Sequence, residues 1–144
     1  MSNISAAQVK ELREKTGLGL MDCKKALEDA EGNMDKAIEE LRKTSGVKAS
    51  KKSGRSAADG LIAIKNIDDQ IFMIEVNCET DFVARDDSFV EFTSQTLKSF
   101  SENPEKTLQE LMDDGIEDNR EKIVQKLGEN IVVRRVAKTE SSTI

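Results

Sequence analysis

The sequence predicts an α+β fold: an N-terminal three-helix bundle, then a small antiparallel sheet with helices on one face. Three observations carry this. Apolar residues recur at helical spacing twice in the first 45 residues, as Cys23, Ala26, Leu27, Ala30 and as Met34, Ala37, Ile38, Leu41. Two β-rich runs, Leu61–Lys65 and Phe72–Cys78, flank Asp68-Asp69 in the manner of a hairpin. A helical stripe of Phe89, Phe92, Thr96 and Phe100 follows, and a third β-rich run, Ile131–Val136, comes later. The expected division is residues 1–46 as a helical domain, 47–59 as a basic linker and 60–144 as the α+β domain.

Taken in order, Ser5 and Gln8 have the spacing of a capping box, and Val9 and Leu12 mark the apolar side of a first helix ending near Thr16-Gly17. Gly17 and Gly19 suggest a tight loop that leaves Leu18, Leu20 and Met21 near the surface. In so small a unit, Leu12, Leu20 and Met21 are either core residues or partner contacts. Glu31-Gly32-Asn33 is the turn into the third helix. Between Glu40 and Asp59 there is no acidic residue, whereas Arg42, Lys43, Lys48, Lys51, Lys52 and Arg55 are basic. A phosphate-binding strip for RNA is one reading, and a solvated, partly helical linker is the plainer one.

In the second domain Phe72, Ile74, Val76 and Cys78 share one parity and therefore one face of a strand. The alternation stops at Cys78, where Thr80 reads as an N-cap and Asp81 as first-turn residue of a helix. Phe82 then belongs to neither the strand face nor a helix stripe. It either folds back over the core edge or points outward from the corner. Asn103-Pro104 ends the Phe-striped helix, and Leu108, Leu111 and Met112 suggest a short helix closed by Gly115. Ile116, Arg120, Ile123 and Leu127 continue at helical spacing to a stop at Gly128, ahead of the last strand.

Composition bounds the function. Of 144 residues, 37% are hydrophobic and 35% charged, so a modest core is available. Aromatic residues are 3%, all Phe, too few for a stacking platform that binds nucleic acid. Cys23 and Cys78 are isolated and there is no His, which argues against zinc and fits free thiols in a cytoplasmic protein. No apolar run reaches the ~18 residues a membrane span needs, and no signal-peptide pattern opens the chain. The net charge of −6 divides unevenly, +2 over residues 1–60 (12 basic, 10 acidic) and −8 over 61–144 (10 basic, 18 acidic). With no His, no Gly-rich phosphate loop and no metal-ligand spacing, enzyme readings find no support, and no cofactor is expected.

Four segments resemble the elongation factor Ts family, in family order. They are Thr16-Gly17-Leu18-Gly19-Leu20-Met21-Asp22-Cys23-Lys24-Lys25-Ala26-Leu27; Ala57-Ala58-Asp59-Gly60; Asn77-Cys78-Glu79-Thr80-Asp81-Phe82-Val83-Ala84-Arg85; and Lys126-Leu127-Gly128-Glu129-Asn130-Ile131-Val132-Val133-Arg134-Arg135. Leu20 stands where the family usually has Met, a swap that conserves volume. The resemblance implies that the first domain is a UBA-like bundle and that the chain speeds GDP release from the GTPase EF-Tu without covalent chemistry. It further implies that Thr80, Asp81, Phe82 and Val83 disturb the partner's magnesium and phosphate site. Leu12, Leu20 and Met21 would dock on its GTPase domain, with Leu127 a further contact. The expected compartment is the cytoplasm or an organelle. A non-catalytic protein- or RNA-binding module is the alternative. Longer family members continue into a second, related core half. Here the polar tail Ser141–Ile144 reads as a natural end, and Val132, Val136 and Met73 are expected to share an uncovered sheet face. A homodimer through that face is therefore expected.

Overall fold

The computed structural model describes residues 3–140; the tail Ser141–Ile144 lies outside the described residues. Helix α1 (Ala6–Thr16) begins with the capping box, Ser5 Oγ accepting from the Gln8 amide at 3.2 Å while the Ser5 amide donates to Gln8 Oε1 at 2.9 Å. It ends at Gly17, which takes the left-handed conformation (φ 69°) that releases the chain from the helix. Helix α2 (Leu20–Asp29) and helix α3 (Met34–Lys52) follow, the latter capped by the Asn33 side chain. Val9, Leu12, Leu18, Cys23, Ala26, Leu27, Ala30, Ala37 and Leu41 form a small core of their own. Leu18, expected near the surface, is 2% exposed and belongs to that core.

Helix α3 crosses the boundary expected at residue 46. Its 19 residues span about 28 Å, and the second half leaves the small core to lie against helix α7 (Glu117–Leu127). Ser45 and Ala49 are buried there, Ser45 Oγ bonds Gln125 Oε1, and the Glu121 carboxylate lies against Gly46. Burial first, then the neighbouring carboxylates of Glu117 and Asp118, holds the Glu121 carboxyl above its ordinary range. The basic strip is largely answered within the protein. Arg42, Lys43, Lys48 and Arg55 each come within 4 Å of a carboxylate, respectively of Glu39 and Asp118, Glu40, Asp22, and Glu79.

Strands β1 (Asp59–Ile67), β2 (Gln70–Cys78) and β3 (Val132–Glu140) form one antiparallel sheet with β2 in the middle. Asp68 and Asp69 both have positive φ, 49° and 64°, as a two-residue hairpin loop requires. Gly60 is obligatory in β1, since a Cβ there would lie 2.1 Å from the Val76 carbonyl oxygen. The core face of β2 carries Phe72, Ile74, Val76 and Cys78, the parity read from sequence. Helix α4 (Asp81–Ala84), helix α5 (Asp87–Glu102), helix α6 (Leu108–Leu111) and α7 cover that face, with a kink at Asp114-Gly115 (Gly115 φ 99°) between α6 and α7. Phe89, Phe92 and Phe100 enter the core from α5, and Phe100 meets Phe72 edge-on at 5.5 Å. Among the described residues no helix is long and apolar enough to cross a membrane.

The opposite sheet face is uncovered, with Ile62 and Ile64 exposed by 61% and 62%. Its predicted composition needs one correction. Glu75 faces Arg135 and Val76 faces Val133, so Arg134 is an extra residue, a β-bulge. The bulge reverses the parity of β3. Val132, opposite Asn77, stays with Met73 on the open face, whereas Val136, opposite Ile74, packs against the core.

Candidate functional site

The corner after β2 is built from a set of converging hydrogen bonds. The thiol of Cys78 donates to the Thr80 carbonyl at 3.2 Å, closing the turn from strand to helix. Burial first, then the carboxylates of Glu129 and Asp59, pushes that thiol up to about 11. Thr80 is extended (φ −128°, ψ 157°), and its hydroxyl oxygen accepts from the Val83 amide at 3.4 Å, the N-cap bond. A single helical turn then divides its residues by direction. Val83 and Ala84 point into the core at 9% and 5% exposure, whereas Phe82 stands out at 83%. Asp81 lies beside it, 3.6 Å from Arg85. The outward reading of Phe82 therefore describes this structure, and Val83, expected among the contact residues, faces the core.

The corner is held from behind by a turn 49 residues further on. Gly128 (φ 76°) ends α7 and delivers Glu129 and Asn130 to the corner. Glu129 Oε1 accepts from the Glu79 and Thr80 amides at 3.2 and 3.0 Å, and Oε2 accepts from the Thr80 hydroxyl at 2.7 Å. Glu79 reciprocates, accepting from the Asn130 amide at 2.9 Å, and Asn130, itself 2% exposed, donates its side chain to the Arg55 carbonyl at 2.8 Å. Arg134, the bulged residue, donates to Asn77 Oδ1 at 3.0 Å and to the Ala57 carbonyl at 3.2 Å. The last residues of β2, the exit from α3 and the turn after α7 thus form one network. Glu79, Glu129 and Asn130 received no site role from the sequence, because contacts this remote leave no mark in local spacing. Leu127 is half-buried against the core just before this turn.

A second apolar exposure lies in the first unit. Leu20 and Met21, the opening residues of α2, are exposed by 52% and 73%. Leu12 is not with them. It is 0% exposed inside the small core, because the α1 stripe that carries it faces α2 and α3. Of the three residues expected from sequence to dock in this unit, Leu20 and Met21 are therefore exposed and Leu12 is buried.

The described residues thus form a helical bundle and a one-sided sheet, each presenting apolar side chains to solvent. The family model described as Elongation factor TS matches residues 79–144. An elongation factor Ts of Marinobacter nauticus is 55% identical over 146 aligned positions, covering all of this chain and 50% of the relative. One of Hahella chejuensis is 51% identical (all of this chain, 51% of the relative), and one of Idiomarina loihiensis 49% identical (98% and 50%). The chain belongs to the elongation factor Ts family, and it spans about half the length of these relatives.

Proposed function

We propose that this chain is a guanine nucleotide exchange factor for the GTPase EF-Tu. Leu20 and Met21 dock on the partner's GTPase domain. The Asp81-Phe82 corner then enters beside the bound magnesium ion, loosening its coordination and the phosphate loop. Leu127 adds its exposed edge from the end of α7. The observation that carries this reading is Phe82, an aromatic side chain held 83% exposed at a corner whose backbone is tied down. An unanchored side chain would lose on ordering part of what it gained on insertion. The compartment that fits is the cytoplasm, where translation proceeds and both buried cysteines stay reduced.

Magnitudes limit the mechanism. A nucleotide held at about 1 nM with association near ~10⁶ M⁻¹s⁻¹ leaves at about 10⁻³ s⁻¹. Accelerating that to about 10 s⁻¹ takes roughly 5.5 kcal/mol of destabilisation. Burying one Phe supplies about 1.5–3 kcal/mol. The remainder comes from weakened magnesium contacts in the partner and from docking of the first unit. Bound GDP must weaken the complex by the same factor. Stopped-flow release of a fluorescent GDP analogue from EF-Tu tests the proposal. Release should accelerate with this chain, and gel filtration should give a complex that excess GDP dissociates. A chain that leaves the release rate unchanged overturns it. The RNA-binding alternative loses ground because four of the six basic side chains in 42–55 are already paired with carboxylates.

The uncovered sheet face supports a second reading, a homodimer of the isolated chain. Ile62, Ile64, Met73 and Val132 offer apolar surface beside the Glu75–Arg135 ion pair. A two-fold axis would set each acidic residue against the other copy's arginine. Sedimentation at micromolar concentration decides it, and a single 16.0 kDa species overturns it. Val132→Lys should split the dimer.

A further inference from the structure

We propose that Glu129 is the positioning residue of the Phe82 corner, a role that rests on the exchange reading above. Its carboxylate collects three donors from two consecutive residues, the Glu79 amide, the Thr80 amide and the Thr80 hydroxyl. The third bond matters most. Thr80 Oγ1 must accept from the Val83 amide to start α4, and a hydroxyl that accepts there still has one proton to place. Glu129 Oε2 takes that proton at 2.7 Å, which orients the lone pair towards Val83. The carboxylate therefore fixes the cap, the cap fixes the single turn of α4, and that turn aims Phe82. Glu129 touches neither Phe82 nor the exposed surface of Asp81 through any hydrogen bond or ion pair among the described residues.

Because an ionised carboxylate only accepts, it matches three converging donors in a way that no neutral side chain does. Gln at this position keeps one acceptor oxygen for the two amides but presents an NH₂ to the hydroxyl, so it should restore part of the function. Ala should restore none. Leu20 and Met21 dock elsewhere, so the concentration of exchange factor needed for half-maximal release should not depend on Glu129.

The test uses the full chain as wild type, Glu129→Ala, Glu129→Gln, Phe82→Ala and the Glu129→Ala/Phe82→Ala double variant. Glu129→Ala should lower the saturating rate of GDP release about tenfold, with the half-saturating concentration unchanged within twofold. Glu129→Gln should fall between Ala and wild type. In the Phe82→Ala background, Glu129→Ala should have less than a twofold effect, since the side chain it aims is already gone. A wild-type saturating rate in Glu129→Ala, a loss confined to half-saturation, or an undiminished loss in the Phe82→Ala background would each overturn the proposal. Should Glu129→Ala not fold, Glu129→Gln carries the same comparison. Amide hydrogen exchange of Glu79 and Thr80 in the free chain separates this inference from the exchange reading. Faster exchange in Glu129→Ala supports the clamp even if the wild-type chain fails to accelerate GDP release, an outcome that sinks the exchange reading alone. Unaltered exchange removes the clamp whatever the release rates are.

Discussion

The Phe82 corner and the Leu20-Met21 opening of α2 both present apolar side chains to solvent, yet they are built in opposite ways. The corner has a side-chain N-cap, a thiol closing its turn and a carboxylate gathering three donors from 49–50 residues away. The opening of α2 has Gly19 as its N-cap, with no side-chain capping bond. Met21 adds a flexible thioether that adapts to irregular surfaces. On the exchange reading proposed above, the contrast separates two tasks. A residue that must force its way between elements of a partner gains from a stiff mount, because a soft one would yield first. A residue that must find a surface gains from latitude, because small misfits are absorbed locally.

The largest expected break in this comparison is Phe82→Ala. Losing the burial of one Phe, about 1.5–3 kcal/mol, should cut the saturating rate of GDP release by about 10- to 150-fold. The melting temperature should move little, since an exposed side chain contributes little to folding. A sharp fall in melting temperature would show that Phe82 supports the core. Next comes Leu20→Lys/Met21→Lys. It should raise the half-saturating concentration about tenfold while leaving the saturating rate near wild type, the mirror image of the corner variants. Equal losses in both parameters would merge the two tasks into one.

Thr80→Ala probes the mount itself. Losing an N-cap costs about 1 kcal/mol, so thermal unfolding should shift down by about 3–6 °C. A thermal scan with no shift would mean that the cap does not hold α4. The smallest effect belongs to Glu121→Gln, on α7 against Gly46. A carboxyl held above its ordinary range folds most favourably while protonated, and that benefit is lost as pH rises through its folded value. At neutral pH the charged form therefore opposes folding, and Gln should stabilise slightly, by no more than about 2 °C because the site is largely solvated. The gain should vanish in acid; a gain of equal size there would point to packing against Gly46 instead.

Much of this architecture is legible from local chemistry. The Ser5–Gln8 box, the Asp68-Asp69 loop, the core parity of β2 and the Phe stripe of α5 all rest on contacts within a few residues, and each appears where the spacing puts it. What escapes is decided at a distance. The second half of α3 reads as a linker because its buried contacts are made by Ser45, Gly46 and Ala49, too small to raise the hydropathy of a basic segment. Val136 changes sides because one residue, Arg134, is squeezed out of register by pairing with β2. Leu12 is indistinguishable from a docking residue until α2 and α3 close over it. At the candidate site, Thr80, Asp81 and Phe82 are marked by the end of a strand pattern. Their restraint by Glu129 carries no periodic signature at all.

The same separation along the chain has a consequence during synthesis. Thr80 emerges 49 residues before the carboxylate that restrains it. At about 5–20 residues per second, that is an interval of roughly 2–10 s. The central strand must wait as well, since its second neighbour, β3, is made last among the described elements. Throughout that interval the nascent chain holds Phe82 on a turn not yet restrained by Glu129, beside an unpaired strand edge, the kind of surface that chaperones retain and aggregates recruit. The corner acquires its stiffness only when the sheet closes, so a chain stalled before Glu129 carries an exposed Phe82 without the carboxylate that aims it.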